Sequence, residues 1–157
     1  MPRKYESTEK FLKPDPVYGS RLVSRFINCI MRRGKKTVAQ RVFYECMETL
    51  RKKIPDKDPL EVFTTAVNYA KPLVEVRSKR VGGATLQVPH EIKKHRQQSL
   101  AIRWILESAR AKKGRPMAKR LAEELFDVYN KQGVTMTKRE NTHKMAEANK
   151  AFAHFAW

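Results

Sequence analysis

From Ser20 onward the apolar positions recur at helical spacing over most of the chain. Leu22, Val23, Phe26, Ile27, Ile30 and Met31 predict a first helix beginning near Ser20, with Gly34 as its stop. Val38, Val42, Phe43, Cys46, Met47 and Leu50 form one stripe of a second helix over 37–54, closed by Pro55. The third opens on Asp58 as N-cap, with Pro59 at the first helical position and Glu61 completing the capping pattern. Val62, Phe63, Ala66, Val67 and Ala70 make its buried side.

The period then shortens to two. Val74 and Val76 share one strand face, and Glu75, Arg77 and Lys79 share the other. In the return strand Leu86 and Val88 share a face, and Pro89 ends the strand. A two-residue Gly82-Gly83 loop would set Arg77 against Val88 and mix the faces. A three-residue loop, Val81 to Gly83, sets Val76 against Val88 and Ser78 against Leu86, with Arg80 and Ala84 as the closing pair. Face-matching favours the odd loop, because a one-residue slip turns every side chain over. Helical spacing resumes over 92–112, with Leu100, Ala101, Trp104 and Ile105 inward and Gly114 beyond. A fifth helix runs from Pro116 to about Asn130 on Met117, Leu121, Leu125 and Phe126. A sixth starts at a second capping box, Thr137-Lys138-Arg139-Glu140, and carries Met145, Ala148, Phe152 and Phe155. Residues 1–18 hold Pro2, Pro14 and Pro16 without a helical period and read as an extended arm. The pattern predicts a mainly α fold, six helices with one protruding two-stranded antiparallel β-hairpin between helices 3 and 4. All of 1–157 is expected to form a single domain, with the arm over 1–18 and the hairpin over 72–90.

Composition adds a partner to this outline. The net charge of +18 on 157 residues opposes compaction by self-repulsion and suits a polyanion that releases counterions on binding. Residues 37–70 hold equal numbers of each sign, whereas residues 1–36 carry +7 and residues 71–96 carry +5. The neutral block is therefore structural and the basic blocks are the candidate surface. No apolar run is long enough for a membrane span, and Met1 to Glu6 lack the apolar segment of a signal peptide. The chain is expected to work in the compartment where it is made. Cys29 and Cys46 stand far apart among apolar residues and read as two buried thiols, with no metal site.

Catalysis has no support in the pattern. His90, His95, His143 and His154 lack HExxH spacing, Gly82-Gly83 has no lysine-serine sequel, and Glu123 and Glu124 diverge by about 100° on a helix. No catalytic residue, cofactor or metal is expected. What remains is a nucleic-acid binder. RNA is preferred to DNA because no helix presents base-reading Asn, Gln and Arg at its start, and a free helical DNA-binding regulator is the alternative. Tyr5, Tyr18 and Trp157 are candidates for base stacking, with packing as the commoner role of such residues.

Several motifs in one order carry a resemblance. The run Lys79-Arg-Val-Gly-Gly-Ala-Thr-Leu-Gln-Val-Pro89, the segments Arg21-Leu-Val-Ser-Arg-Phe-Ile-Asn28, Leu100-Ala-Ile-Arg-Trp104 and Gly114-Arg-Pro-Met117, and the ending Met145 to Trp157 closely resemble the seventh protein of the small ribosomal subunit, bacterial type. The resemblance implies binding to the 3′ major domain of small-subunit ribosomal RNA and a start to assembly of the subunit head. It also implies a position at the E site, near exit-site tRNA and the mRNA exit path, with small-subunit proteins nine and eleven as neighbours. The location implied is the ribosome, in bacterial cytoplasm or in an organelle that encodes the chain. Ribosomal RNA contacts are expected at Arg3, Lys4, Lys10 and Lys13 in the arm, and at Arg32, Arg33, Lys35 and Lys36. They are also expected at Arg77 and Lys79 in the ribbon, at Lys93, Lys94 and Arg96, and at Arg110, Lys112 and Lys113. The hairpin tip, Arg80, Val81, Gly82, Gly83, Ala84 and Thr85, is expected nearest tRNA and mRNA. Leu86 stands where the family often has an aromatic, and His90 and Lys94 replace residues commonly Val and Pro. With Trp157 last, contacts that some members make through a longer tail are expected to be missing.

Overall fold

Three phenylalanines, Phe26, Phe43 and Phe63, meet at the centre of the molecule with ring centroids 5.0–5.8 Å apart, two of the three pairs edge-on. The computed structural model describes residues 8–155. Arg3, Lys4, Tyr5 and Trp157 lie outside the described residues. Each phenylalanine comes from a different helix: α1 (Arg21–Ile30), α2 (Lys36–Lys53) and α3 (Pro59–Ala70). All three are fully buried, and truncating any one to Ala would cost about 3–5 kcal/mol. A ribbon of β1 (Val74–Val81) and β2 (Ala84–Glu91) follows, then α4 (Lys94–Ala111), α5 (Met117–Tyr129) and α6 (Val134–Ala148). Helix α5 packs against α2, α3 and α4 and closes the core with Leu121, Ala122, Leu125 and Val128. The mainly α fold with one hairpin between α3 and α4 is therefore as the sequence predicts. Among the described residues no helix is long and apolar enough to cross a membrane.

Asp58 caps α3 by accepting from the Leu60 amide, with Pro59 in the first turn, as read from the pattern. Other boundaries differ. Helix α1 ends at Ile30, before Met31 turns to an extended conformation, so Gly34 belongs to the next turn rather than to a helix stop. In α2 the inward stripe is Ala39, Phe43, Cys46, Met47 and Leu50. Val38 is 50% exposed because it lies a full 100° step away from Ala39. Trp104 of α4 is half-buried. Cys46 is buried and Cys29 is exposed, which corrects the expectation of two buried thiols.

The Thr137-to-Glu140 capping box does not form. Helix α6 begins three residues earlier, after Gly133 at φ 90°, where a Cβ would approach Asp127 Cβ to 3.0 Å. Its first turn is capped from another helix. The Glu124 carboxylate accepts from the Thr135 amide at 3.2 Å and from the Thr135 hydroxyl at 2.6 Å. Thr135, Met136 and Ala146 face inward, while Met145 and Ala148 are exposed. The helix stops at Ala148, and Phe152 and Phe155 lie on a separate 3₁₀ turn, Lys150–Phe155. The arm also departs from an extended chain. A 3₁₀ turn occupies Thr8–Phe11, and the buried Asp15 accepts from the Val17 and Tyr18 amides and from the Tyr44 hydroxyl at 2.9 Å. Tyr18 packs on Phe43 and Tyr44.

Candidate nucleic-acid interface

The link between α1 and α2 is built for charge. Arg33 and Gly34 both adopt positive φ, 52° and 72°, and the Lys35 amide donates to the Arg32 carbonyl at 3.1 Å. This is a tight turn of the primed kind, and it exposes Arg32, Arg33, Lys35 and Lys36 together. Below it lies a cleft of about 390 Å³ whose rim holds Arg32, Arg33, Lys35, Arg110 and Arg120 and no acidic residue, over a floor that includes Ile30, Val38, Val42 and Met117. The half-exposed Val38 belongs to that floor.

Two of those arginines first serve the fold. The Arg110 guanidinium donates to the carbonyls of Cys29 and Ile30 at 3.2 and 3.3 Å, so α4 caps the end of α1. Arg120 donates to the carbonyls of Arg110 and Lys112 and closes the end of α4 in the same way. Burial, then the neighbouring Arg32 charge, lowers the Arg110 pKa. Like charges crowded beside a cleft without an acid are relieved when a phosphate enters. A second groove, about 420 Å³ between α1 and α4, adds Arg25 and Arg103 and shares Arg110 with the cleft. Together they form one basic trough, with Glu107 on the wall of the second groove. Cys29 lines it, and the loss of water on the groove side of this otherwise exposed residue raises its thiol pKa despite Arg25, Arg110 and Arg103.

In the ribbon the register is Arg77 against Val88, Lys79 against Leu86, Arg80 against Thr85 and Val81 against Ala84. The loop is therefore Gly82-Gly83, and both glycines have positive φ, 55° and 91°, as a two-residue primed turn requires. This overturns the three-residue loop and its Arg80–Ala84 closing pair. The mixed face is viable because the buried Glu75 charge is paired and the stems of the cations are apolar. The Glu75 side chain, 12% exposed, takes Arg77 at 2.6 Å and Arg96 of α4 at 3.3 Å. The methylenes of Arg77 and Lys79 lie on the same face as Val88 and Leu86 and can cover them.

The structure brings Arg32, Arg33, Lys35 and Arg110 into one site. Arg80 is exposed near the ribbon tip, and Lys93 and Lys94 are exposed at the start of α4. Lys10 and Lys13 are exposed on the arm, and Lys113 is exposed just beyond α4. Others are engaged inside the protein. Lys112 lies 3.0 Å from the fully buried Glu124 and 3.3 Å from Asp127. Burial lowers its pKa, but those two carboxylates outweigh it and the net shift is upward. The Lys79 ammonium donates to the Phe155 carbonyl at 2.8 Å. Arg25, Arg103 and Arg120 join the trough without having been singled out in the sequence. Arg103 shares α4 with Arg110, about two turns away, whereas Arg25 of α1 and Arg120 of α5 reach Arg110 only through helix packing.

Comparison with known proteins gives a consistent result. The sequence profile of the family described as ribosomal protein S7p/S5e matches residues 2–150. Among curated proteins, one from Rhodopirellula baltica named small ribosomal subunit protein uS7 is 59% identical over 152 residues, covering 96% of this chain and 97% of the relative. Proteins of the same name from Thermotoga neapolitana and Chlamydia abortus are 54% and 51% identical over 99% and 100% of both chains.

Proposed function

Because the chain belongs to the ribosomal protein S7p/S5e family, we propose a specific post for it within the small ribosomal subunit. Members of this family are structural, non-enzymatic parts of the ribosome and associate with its RNA. In the proposed reading, residues 1–157 act as one RNA-binding domain. It binds the 3′ major domain of 16S-type ribosomal RNA, nucleates assembly of the subunit head and ends at the E site. The ribbon tip, Arg80 to Thr85, then stands close to exit-site tRNA and the mRNA exit path, and small-subunit proteins nine and eleven are neighbours. The trough cations Arg32, Arg33, Lys35 and Arg110 grip phosphates, with Lys36 of the same turn, Lys93, Lys94, Lys113 and the arm residues Lys10 and Lys13 extending the contact. Arg77, Arg96 and Lys112 contribute through whatever their internal partners leave exposed.

The observation that carries this reading is the cleft below the α1–α2 turn, whose rim holds five cations and no acid, with an arginine held in left-handed backbone at its lip. Its test is a binding titration against transcripts of the 3′ major domain and of an equally long 5′ segment, at matched salt. The 3′ transcript should bind at least about tenfold tighter. Changing Arg32, Arg33, Lys35 and Lys36 together to Ala should reduce the salt slope by about 3, at about 0.7–0.9 per lost phosphate contact. Equal binding of both transcripts would sink the domain assignment. Tighter binding to duplex DNA would favour a free regulator instead.

A further inference from the structure

We propose that Lys79 is a positioning residue, and that through it the 3₁₀ turn Lys150–Phe155 splints the ribbon. The proposal rests on the ribbon being an RNA-contacting element, as read above. It removes Lys79 from the list of phosphate ligands.

The argument starts from what a ribbon lacks. A two-stranded hairpin is marginally stable alone, and this one is eight residues long on each strand. Its base is well tied. Glu75 binds Arg96 of α4, and the Leu73 amide donates to His143 of α6 at 3.1 Å. Farther out, the burial pattern identifies a cover on one face. Lys79 and its cross-strand partner Leu86 are half-buried, while Ser78, Arg80, Thr85 and Gln87 beside them are exposed. The 3₁₀ turn packs against β2, and its last described residue, Phe155, accepts the Lys79 ammonium on its carbonyl. A charged donor on a carbonyl is stronger than a neutral pair. The carbonyl takes one of the ammonium's three donors and fixes the side chain along the covered face of the ribbon. Arg80, one residue on and on the opposite face, is exposed. The two adjacent cations thus divide the work, Lys79 holding the ribbon and Arg80 facing outward.

The test uses the full chain with Lys79→Met, which keeps the stem and removes the ammonium, and Lys79→Arg, which keeps a donor. Two measurements are made, amide hydrogen exchange and the salt dependence of binding to a 3′ major domain transcript. In Lys79→Met, exchange should rise about tenfold in both 84–91 and 150–155, while the helical core keeps its protection. Affinity should fall severalfold with an unchanged salt slope, and Lys79→Arg should recover protection in both segments. A slope reduced by about 0.7–0.9 with unchanged exchange would make Lys79 a phosphate ligand and overturn the proposal. Exchange that rises in neither segment, or in one alone, would overturn it too. If the unaltered protein fails to bind the transcript, the ribosomal RNA reading falls, and the exchange data still decide the splint.

Discussion

Arg33 holds φ at 52°, a left-handed conformation that costs a residue bearing a Cβ about 1–2 kcal/mol. Glycine or asparagine would hold that turn at lower cost. Strain of this kind accumulates where a side chain is needed for another purpose, and here that purpose is a cation at the lip of the trough. Arg33→Asn is therefore expected to leave the protein as stable as before, or up to about 1 kcal/mol more stable, and to weaken RNA binding. Urea denaturation and a salt-titrated binding assay measure the two effects, and a loss of stability would remove the strain argument. Arg32, Arg33, Lys35 and Lys36 were legible in the sequence because four cations exceed what helix capping needs. Arg25, Arg103 and Arg120 were not, since the three come from three different helices that packing brings together. The same reason hid Glu124. Its neighbour Glu123 differs in nothing the sequence records, yet Glu124 is fully buried and caps α6 through Thr135. That cap from another helix also explains why the local Thr137-to-Glu140 box goes unused.

At the level of elements, helices were readable where the apolar stripe and a local cap agree, as in α3. The ribbon was readable as an element but misread by one residue. Matching valine to valine ignores that Glu75 is neutralised by Arg96, twenty-one positions later, and that Gly82 and Gly83 alone make a complete primed turn. Contact between α6 and the ribbon base gives an element-scale prediction. His143 Nε2 accepts from the Leu73 amide, so the neutral ring carries its proton on Nδ1. Burial, then the Arg139 charge, depresses the His143 pKa below its usual 6.5. A depressed value means that the contribution is complete above pH 6.5 and is lost as pH falls through the folded-state pKa, because an imidazolium cannot accept. Exchange at Leu73 and along β1, corrected for intrinsic rates, should rise as the pH falls through the depressed His143 pKa, below 6.5. In His143→Gln, which keeps an acceptor without titrating, that rise should vanish. The same acid response in the variant would rule His143 out.

For the whole molecule, the charge of +18 acts against folding and for binding. Added salt screens self-repulsion among the surface cations and also removes the gain from counterion release. Raising salt from about 50 to 200 mM should therefore raise the Tm of the free protein while lowering its RNA affinity by about 10³–10⁵ if 6–10 phosphates are contacted. Calorimetry and binding across one salt series read both trends, and a Tm that falls with salt would contradict the balance described here. The uneven tethering of the ribbon has a mechanical meaning at this scale. Eight residues at about 3.3 Å each make a lever of about 26 Å. A tilt of 10° at its root would sweep the Gly82-Gly83 end through about 4–5 Å, comparable to the spacing between neighbouring strands. Tight fastening at the root and partway along the arm therefore does more for the aim of the bare end than any side chain at the end itself could do.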